Sequence, residues 1–181
     1  ATGLPTLIAE EIGLTMDQIH YEFAPSNPKL YANLAFGQFQ GTGGSTAMAN
    51  SFMQYRTAGA AAREILISAA AQEWGVDAST LKIVDGMVTD GSKSASIGDF
   101  VEAASAIEPP KEPKLKDPSE FKLIGNPDVR RLDTAIKSNG EAIYAMDVHL
   151  PNQMIAVIKR PARKDGIALS FDDSEAKSVK G

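Results

Sequence analysis

The chain has 181 residues, 43 % of them apolar, and a formal net charge of −5. That is enough for one ordinary domain or two small ones, and too apolar for wholesale disorder. The acidic balance, with no basic stripe interleaved with aromatics, argues against nucleic-acid binding. The lack of cysteine excludes disulfides, protein-ligated iron–sulfur clusters and thiolate zinc sites from this chain. His20 and His149 stand alone, so a histidine-rich metal site is not expected, and no run reaches membrane-spanning length. No signal peptide is visible. The opening enters an apolar helical run at once and the end closes just after a helix-like start, so a segment of a longer protein is expected.

In chain order, Leu4, Leu7, Ile8 and Ile12 fall on one face of a helix that takes Pro5 in its first turn and stops at Gly13. Glu10 and Glu11 lie in this helix and are expected to be solvated or salt-bridged. Residues 19–23 alternate apolar and polar and predict a half-buried strand, with His20 on the solvated face. Residues 24–40 form a long connection holding Tyr31, Phe36 and Phe39. A loop of that length is often functional; it could equally be ordered by its aromatics pinning it to the core.

The stretch Gly41-Thr42-Gly43-Gly44-Ser45-Thr46 is the centre of the reading. Three glycines in four residues let the backbone take positive φ and approach a ligand closely. Ser45 or Thr46 can cap the helix that follows, predicted over 46–74 and stopped by Gly75. The start of a helix gathers unpaired N–H groups and partial positive charge, so this turn could hold an anion or merely make a tight connection.

Asp77 opens a capped turn. Asp85-Gly86 between two apolar runs predicts a hairpin, and Ser96 with Asp99 fits a capping box before a short helix from Phe100. Residues 108–123 are Pro-rich and charged and are read as an extended linker between a unit over 1–107 and another over 124–181. Beyond the linker, residues 142–148, 154–159 and 167–171 are strand candidates. The expected fold class is α+β: an α/β piece with one long helix on a small sheet, then a β-rich unit.

Several of these residues together resemble a known family. Thr2-Gly3-Leu4-Pro5 through Glu11, Phe23-Ala24-Pro25, Thr42-Gly43-Gly44-Ser45-Thr46 and Ala58-Gly59-Ala60-Ala61-Ala62-Arg63 resemble the molybdopterin-binding large subunit of the molybdenum hydroxylases. The similarity is to the isoquinoline 1-oxidoreductase β-subunit branch, often labelled membrane-bound aldehyde dehydrogenase. Ile124-Gly125-Asn126-Pro127, Arg131-Leu132-Asp133-Thr134, Lys137, Gly140, Ala142, Tyr144, Asp147 and Arg160-Pro161 are similar to the aldehyde oxidase/xanthine dehydrogenase hammerhead domain.

The resemblance implies part of a molybdopterin-binding domain over 1–107 and a partial hammerhead over 124–181. It implies an oxidoreductase that hydroxylates N-heterocycles or oxidises aldehydes with water as oxygen donor. The implied cofactor is molybdopterin, as such or as a dinucleotide, with molybdenum held by the cofactor's own sulfurs; the protein supplies position and hydrogen bonds. Gly43, Gly44, Ser45 and Thr46 would contact the pterin or its phosphate.

The implied partners are a small iron–sulfur (2Fe-2S) subunit, a cytochrome c subunit as a further candidate, and a small aldehyde or N-heterocycle substrate. The branch is often exported, which implies a periplasmic or inner-membrane-associated place, with the cytoplasm as the alternative. The family's Gly-Gln-Gly motif and its general-base glutamate have no counterpart in this sequence. No catalytic residue or metal ligand is therefore carried over, and the segment alone is expected to be inactive and to bind no cofactor. Arg130-Arg131 reads as surface charge. The competing reading is a non-enzymatic interaction or scaffold module of the same ancestry.

Overall fold

A computed structural model describes residues 2–180. The chain divides into two compact units, residues 1–138 and 139–181. The first is built on two helices, α1 (Gly3–Ile12) and the 29-residue α3 (Thr46–Trp74), with the short α2 (Pro28–Tyr31) in the loop between them. Both long helices end where the sequence places a glycine: Gly13 and Gly75 take left-handed φ of 95° and 67°.

A three-stranded antiparallel sheet follows, β1 (Lys82–Val84), β2 (Met87–Thr89) and β3 (Ser94–Ser96), in that order. The Asp85-Gly86 turn takes positive φ at both residues, 50° and 78°, as the expected hairpin needs. Ile83 pairs with Val88, which pairs in turn with Ala95. Residues directly opposite one another share a face of the sheet, so these three lie together. That face closes the core against Leu66, Ala69 and Ala70 of α3 and against Phe100 and Ala104. Ser96 and Asp99 form the expected capping box, leading into α4 (Val101–Ser105). Trp74 meets Phe100 edge-on at 5.5 Å.

The N-terminal half of α3 packs on α1 at short range. Gly59 makes this possible: a Cβ there would come within 2.9 Å of the Ile8 carbonyl oxygen and of Glu11 Cβ. The contact also buries two carboxylates, so the solvated alternative for Glu10 and Glu11 is wrong and the salt-bridged one holds. Glu11 receives Arg56 Nε at 2.7 Å, Arg63 at 3.1 Å and the Lys116 N–H at 3.0 Å. Glu10 Oε2 accepts from the backbone N–H groups of Lys122, Leu123 and Ile124 at 2.9, 2.6 and 3.1 Å. Lys116 Nζ lies 3.3 Å from its other oxygen. The Arg56 guanidinium is also held between the rings of Phe52 and Phe121, 5.5 and 4.9 Å from their centroids.

These bonds change the reading of residues 108–123. The later part of that stretch, from Lys114 on, is strapped across α1 and α3. The first unit continues past the expected boundary to α5 (Thr134–Ser138). Its composition suits an extended chain, but the stretch bends and carries the 3-10 turn Pro118–Glu120, and buried carboxylates recruit its N–H groups.

Two further expectations are corrected. Residues 19–23 form no strand; no ladder partner reaches them, and Phe23 is 83 % exposed. In the second unit, residues 142–148, 154–159 and 167–171 form no strands either. Among its described residues that unit holds one short 3-10 turn, Ala145–Asp147, and α6 (Ser174–Ser178). Alternation gives a segment a strand's face, but a strand exists only with a hydrogen-bonded neighbour, and small isolated pairs are marginal in water. The apolar side chains of those segments stay exposed, Ile155, Val157 and Leu169 among them.

Replacing Gly59 by Ala should destabilise the first unit. Alanine gains about 1 kcal/mol of helix propensity, but forcing a methyl against the Ile8 backbone costs roughly 1–3 kcal/mol and should win. Denaturant unfolding checks it; an unchanged or raised midpoint would show that α1 can retreat at no cost.

The acid limb of stability is also set here. Burial would raise the Glu10 carboxyl, but the N–H groups of Leu123 and Ile124, the Lys116 charge and the Lys122 N–H outweigh it and hold it below its ordinary 4.5. Asp133 is lowered from 3.8 to about 2, chiefly by its hydrogen bond from Lys137. Folded values below the unfolded ones mean stability that is complete above 4.5 and is lost as the pH falls through the folded values. Unfolding midpoints measured across that window should fall with pH, and Glu10→Gln should flatten the slope.

Candidate functional site

The Gly-rich turn owes its shape to the loop in front of it. Asn27 caps α2, and Asn33 caps the 3-10 turn Leu34–Phe36. Asn33 is 5 % exposed. Its N–H donates to the Phe39 carbonyl at 2.9 Å, and its side-chain amide donates to the Gly41 carbonyl at 3.2 Å and to Thr46 Oγ1 at 2.9 Å. Gln40 ties the loop's ends, accepting from the Asn27 N–H at 2.9 Å and donating to the Pro25 carbonyl at 3.0 Å. The loop is thus ordered by amides rather than pinned by aromatics: Tyr31, Phe36 and Phe39 are 45, 45 and 62 % exposed.

Gly44 and Ser45 both take left-handed φ, 53° and 59°, so the chain reverses there before α3 begins. Ser45 occupies the cap position, but its side chain makes no capping bond. Thr46 has the larger structural part. Its hydroxyl donates to the Gly43 carbonyl at 2.7 Å and accepts from Asn33, while its N–H donates to the same carbonyl at 3.0 Å.

The four residues are therefore brought together but not equivalent. Gly44 and Ser45 are exposed, and among the described residues their N–H groups donate to nothing. A Cβ on Gly44 would meet only the Thr46 methyl, at 3.9 Å, so the space above the turn is open. Gly43 lies under the Phe36 ring, 3.5 Å from where its Cβ would be. Such a turn suits a group offering hydrogen-bond acceptors: two free N–H donors, one free hydroxyl, and the partial positive charge at the start of a 29-residue helix.

The turn does not line the larger concavities. A groove of about 700 Å³ runs between Glu10, β1 and the strap, and one of about 380 Å³ lies beside Gly3, Leu7, Met48 and Phe52. Among the described residues no cluster of three or more His, Cys, Asp or Glu could hold a metal, and no helix is long and apolar enough to cross a membrane.

Sequence reasoning missed Asn33, Arg56 and Arg63. A signal existed for the arginines: two adjacent acids in the last turn of α1, with no basic residue there, oppose the helix dipole and demand cations from elsewhere. For Asn33 there was none beyond its place six residues after another asparagine.

No family model matches the chain. Curated relatives do. It is 31 % identical over 186 residues to a membrane-bound aldehyde dehydrogenase (pyrroloquinoline-quinone) of Gluconacetobacter polyoxogenes, covering 99 % of this chain and 23 % of that protein. It is 30 % identical to the β-subunit of isoquinoline 1-oxidoreductase of Brevundimonas diminuta, covering 99 % of this chain and 27 % of the relative. These matches support the resemblance to the molybdenum hydroxylases. A third match, 28 % identical, is a nicotinate dehydrogenase subunit of Pseudomonas putida, with 88 % of this chain and 13 % of the relative aligned. The chain thus spans about a quarter or less of the length of the curated relatives it matches. All three relatives are named as dehydrogenases or oxidoreductases, two of them as subunits.

The cap assignment is open to a direct check. Ser45→Ala should leave stability unchanged, while Thr46→Val, which removes both hydroxyl bonds, should cost about 1–2 kcal/mol. Thermal or denaturant unfolding of both variants decides it; a loss at Ser45 matching that at Thr46 would restore Ser45 as the cap.

Proposed function

We propose that the chain serves as part of the large subunit of a molybdenum-containing oxidoreductase that hydroxylates N-heterocycles or oxidises aldehydes with water as oxygen donor. The observation that supports this most is the open pair of N–H groups at Gly44 and Ser45, on a segment related throughout its length to oxidoreductases. In this reading residues 1–107 belong to the cofactor-binding part and residues 124–181 to a partial hammerhead, with the connecting stretch 108–123 strapped to the former from Lys114 on. Partners are a small iron–sulfur (2Fe-2S) subunit and a cytochrome c subunit, and the complex works in the periplasm or at the inner membrane.

Molybdopterin, when bound, supplies two-electron chemistry; the chain's part is to hold it. Gly44 and Ser45 donate backbone N–H groups to its phosphate or pterin acceptors, and the Ser45 hydroxyl adds a bond without adding charge. Gly44 lets that approach stay close, and Thr46 acts one step back, fixing the turn through Gly43 and Asn33. With no general base assigned within it, the segment by itself is inactive.

A second reading follows from the name of the Gluconacetobacter relative, which carries pyrroloquinoline quinone. Anionic carboxylates of a quinone would suit the same two donors. The two readings separate by analysis of the whole purified enzyme for molybdenum and pterin against extractable quinone.

Gly44→Val in that enzyme should lower molybdenum per folded subunit several-fold. The added side chain fills the open space and disfavours the left-handed φ. A folded variant with its full molybdenum would leave the turn a purely structural connection.

A further inference from the structure

Spontaneous deamidation of asparagine needs a following backbone N–H that is free to attack the side-chain amide, and room for the cyclic imide that forms. The chain has six asparagines. Asn27 and Asn126 precede proline and offer no N–H. Asn33 is buried, and the next N–H, that of Leu34, donates to Asn50 Oδ1 at 3.2 Å. After Asn50, Ser51 lies within the α3 ladder. After Asn152, the Gln153 N–H donates to the Leu150 carbonyl at 3.1 Å.

The Asp-Gly pairs, open to the same ring closure, are guarded alike. Gly86 donates to the Gly13 carbonyl at 3.0 Å, Gly91 to Thr89 Oγ1 at 2.9 Å and Gly166 to the Arg163 carbonyl at 3.2 Å.

Asn139-Gly140 differs on every count. Both residues are exposed, the Gly140 N–H donates to nothing among the described residues, and no atom beyond its chain neighbours lies within 4 Å of where a Gly140 Cβ would be. The Asn139 side-chain oxygen accepts from the Glu141 N–H at 3.0 Å, which draws electrons from the carbon to be attacked. We propose that Asn139-Gly140, the first pair of residues in the second unit, is a self-deamidating site that converts to aspartate and isoaspartate while the protein is folded.

The step balances without an oxidant. The Gly140 nitrogen gives up its proton and bonds to the side-chain carbon of Asn139. The bond from that carbon to the amide nitrogen breaks, and the nitrogen leaves as ammonia carrying the proton. Water then opens the imide at either carbonyl. One opening gives aspartate; the other routes the backbone through the side-chain carbon as isoaspartate. Either product adds a negative charge, and isoaspartate lengthens the main chain by a methylene.

The test incubates the purified protein in warm, mildly alkaline buffer, native and in denaturant, and follows each asparagine by peptide mass mapping with isoaspartate detection. Asn139 should convert first, at about the same rate native and denatured, while conversion at Asn152 should be roughly tenfold slower in the native protein, because its neighbouring N–H is engaged. Gly140→Ala should slow conversion at Asn139 roughly tenfold, since a Cβ crowds the nitrogen and resists φ of 87°. A native rate at Asn139 well below the denatured one, or earlier conversion at any other asparagine, would overturn the proposal.

Discussion

Two adjacent glutamates at the end of a ten-residue helix are the constraint from which most of the first unit follows. Neither is tolerable in a dry interior without donors, and the cost of leaving a buried carboxylate unpaired reaches several kcal/mol. Glu11 therefore fixes where α3 must lie, since two arginines about two turns apart on one face of that helix have to reach it. Glu10 fixes where the strap must lie, since only three successive N–H groups and Lys116 satisfy it. Gly59 and Ala60 are small because the helices must close far enough for those bonds to form.

The Gly-rich turn is organised on a different principle. There the chain leaves the Gly44 and Ser45 donors open. Asn33 consumes the Thr46 hydroxyl and the Gly41 carbonyl, so the turn is rigid from behind and unsatisfied in front. This combination, a firm support under an exposed pair of N–H groups, is what a site for a large anionic group requires, because preformed donors need no reorganisation on binding. It also explains why Ser45, the better capping residue by type, does not cap: its left-handed backbone turns the side chain away from the helix it precedes.

Local signals in the sequence were legible wherever the physics is local. The long helix runs over the expected residues because alanine-rich propensity and a glycine stop act within a few positions. The Asp85-Gly86 hairpin and the Ser96–Asp99 box appear for the same reason. Strands failed where the deciding partner is remote: residues 19–23 alternate as a strand would and residues 142–148, 154–159 and 167–171 are rich in apolar residues, yet none has a ladder to join. The strap failed for a related reason, since Pro and Lys describe an extended chain without saying what will hydrogen-bond to it. At the site, the glycines and the helix start could be read directly, whereas the division of labour between Ser45 and Thr46 depended on Asn33, whose contacts no spacing rule foretells.

The bonds from the strap to Glu10 span 112 to 114 residues of sequence, and the one to Glu11 spans 105. A chain made from its N-terminus therefore releases α1 long before its partners exist. Glu11 can meet Arg56 and Arg63 once α3 is made, but Glu10 stays without its partners through the synthesis of the sheet and α4. Closing so long a loop adds little to the equilibrium cost but places these contacts late in assembly. The order of events is thus written into the topology: hairpin and α3 can form as they appear, and α1 is locked down last, when residues 116–124 arrive to cover it.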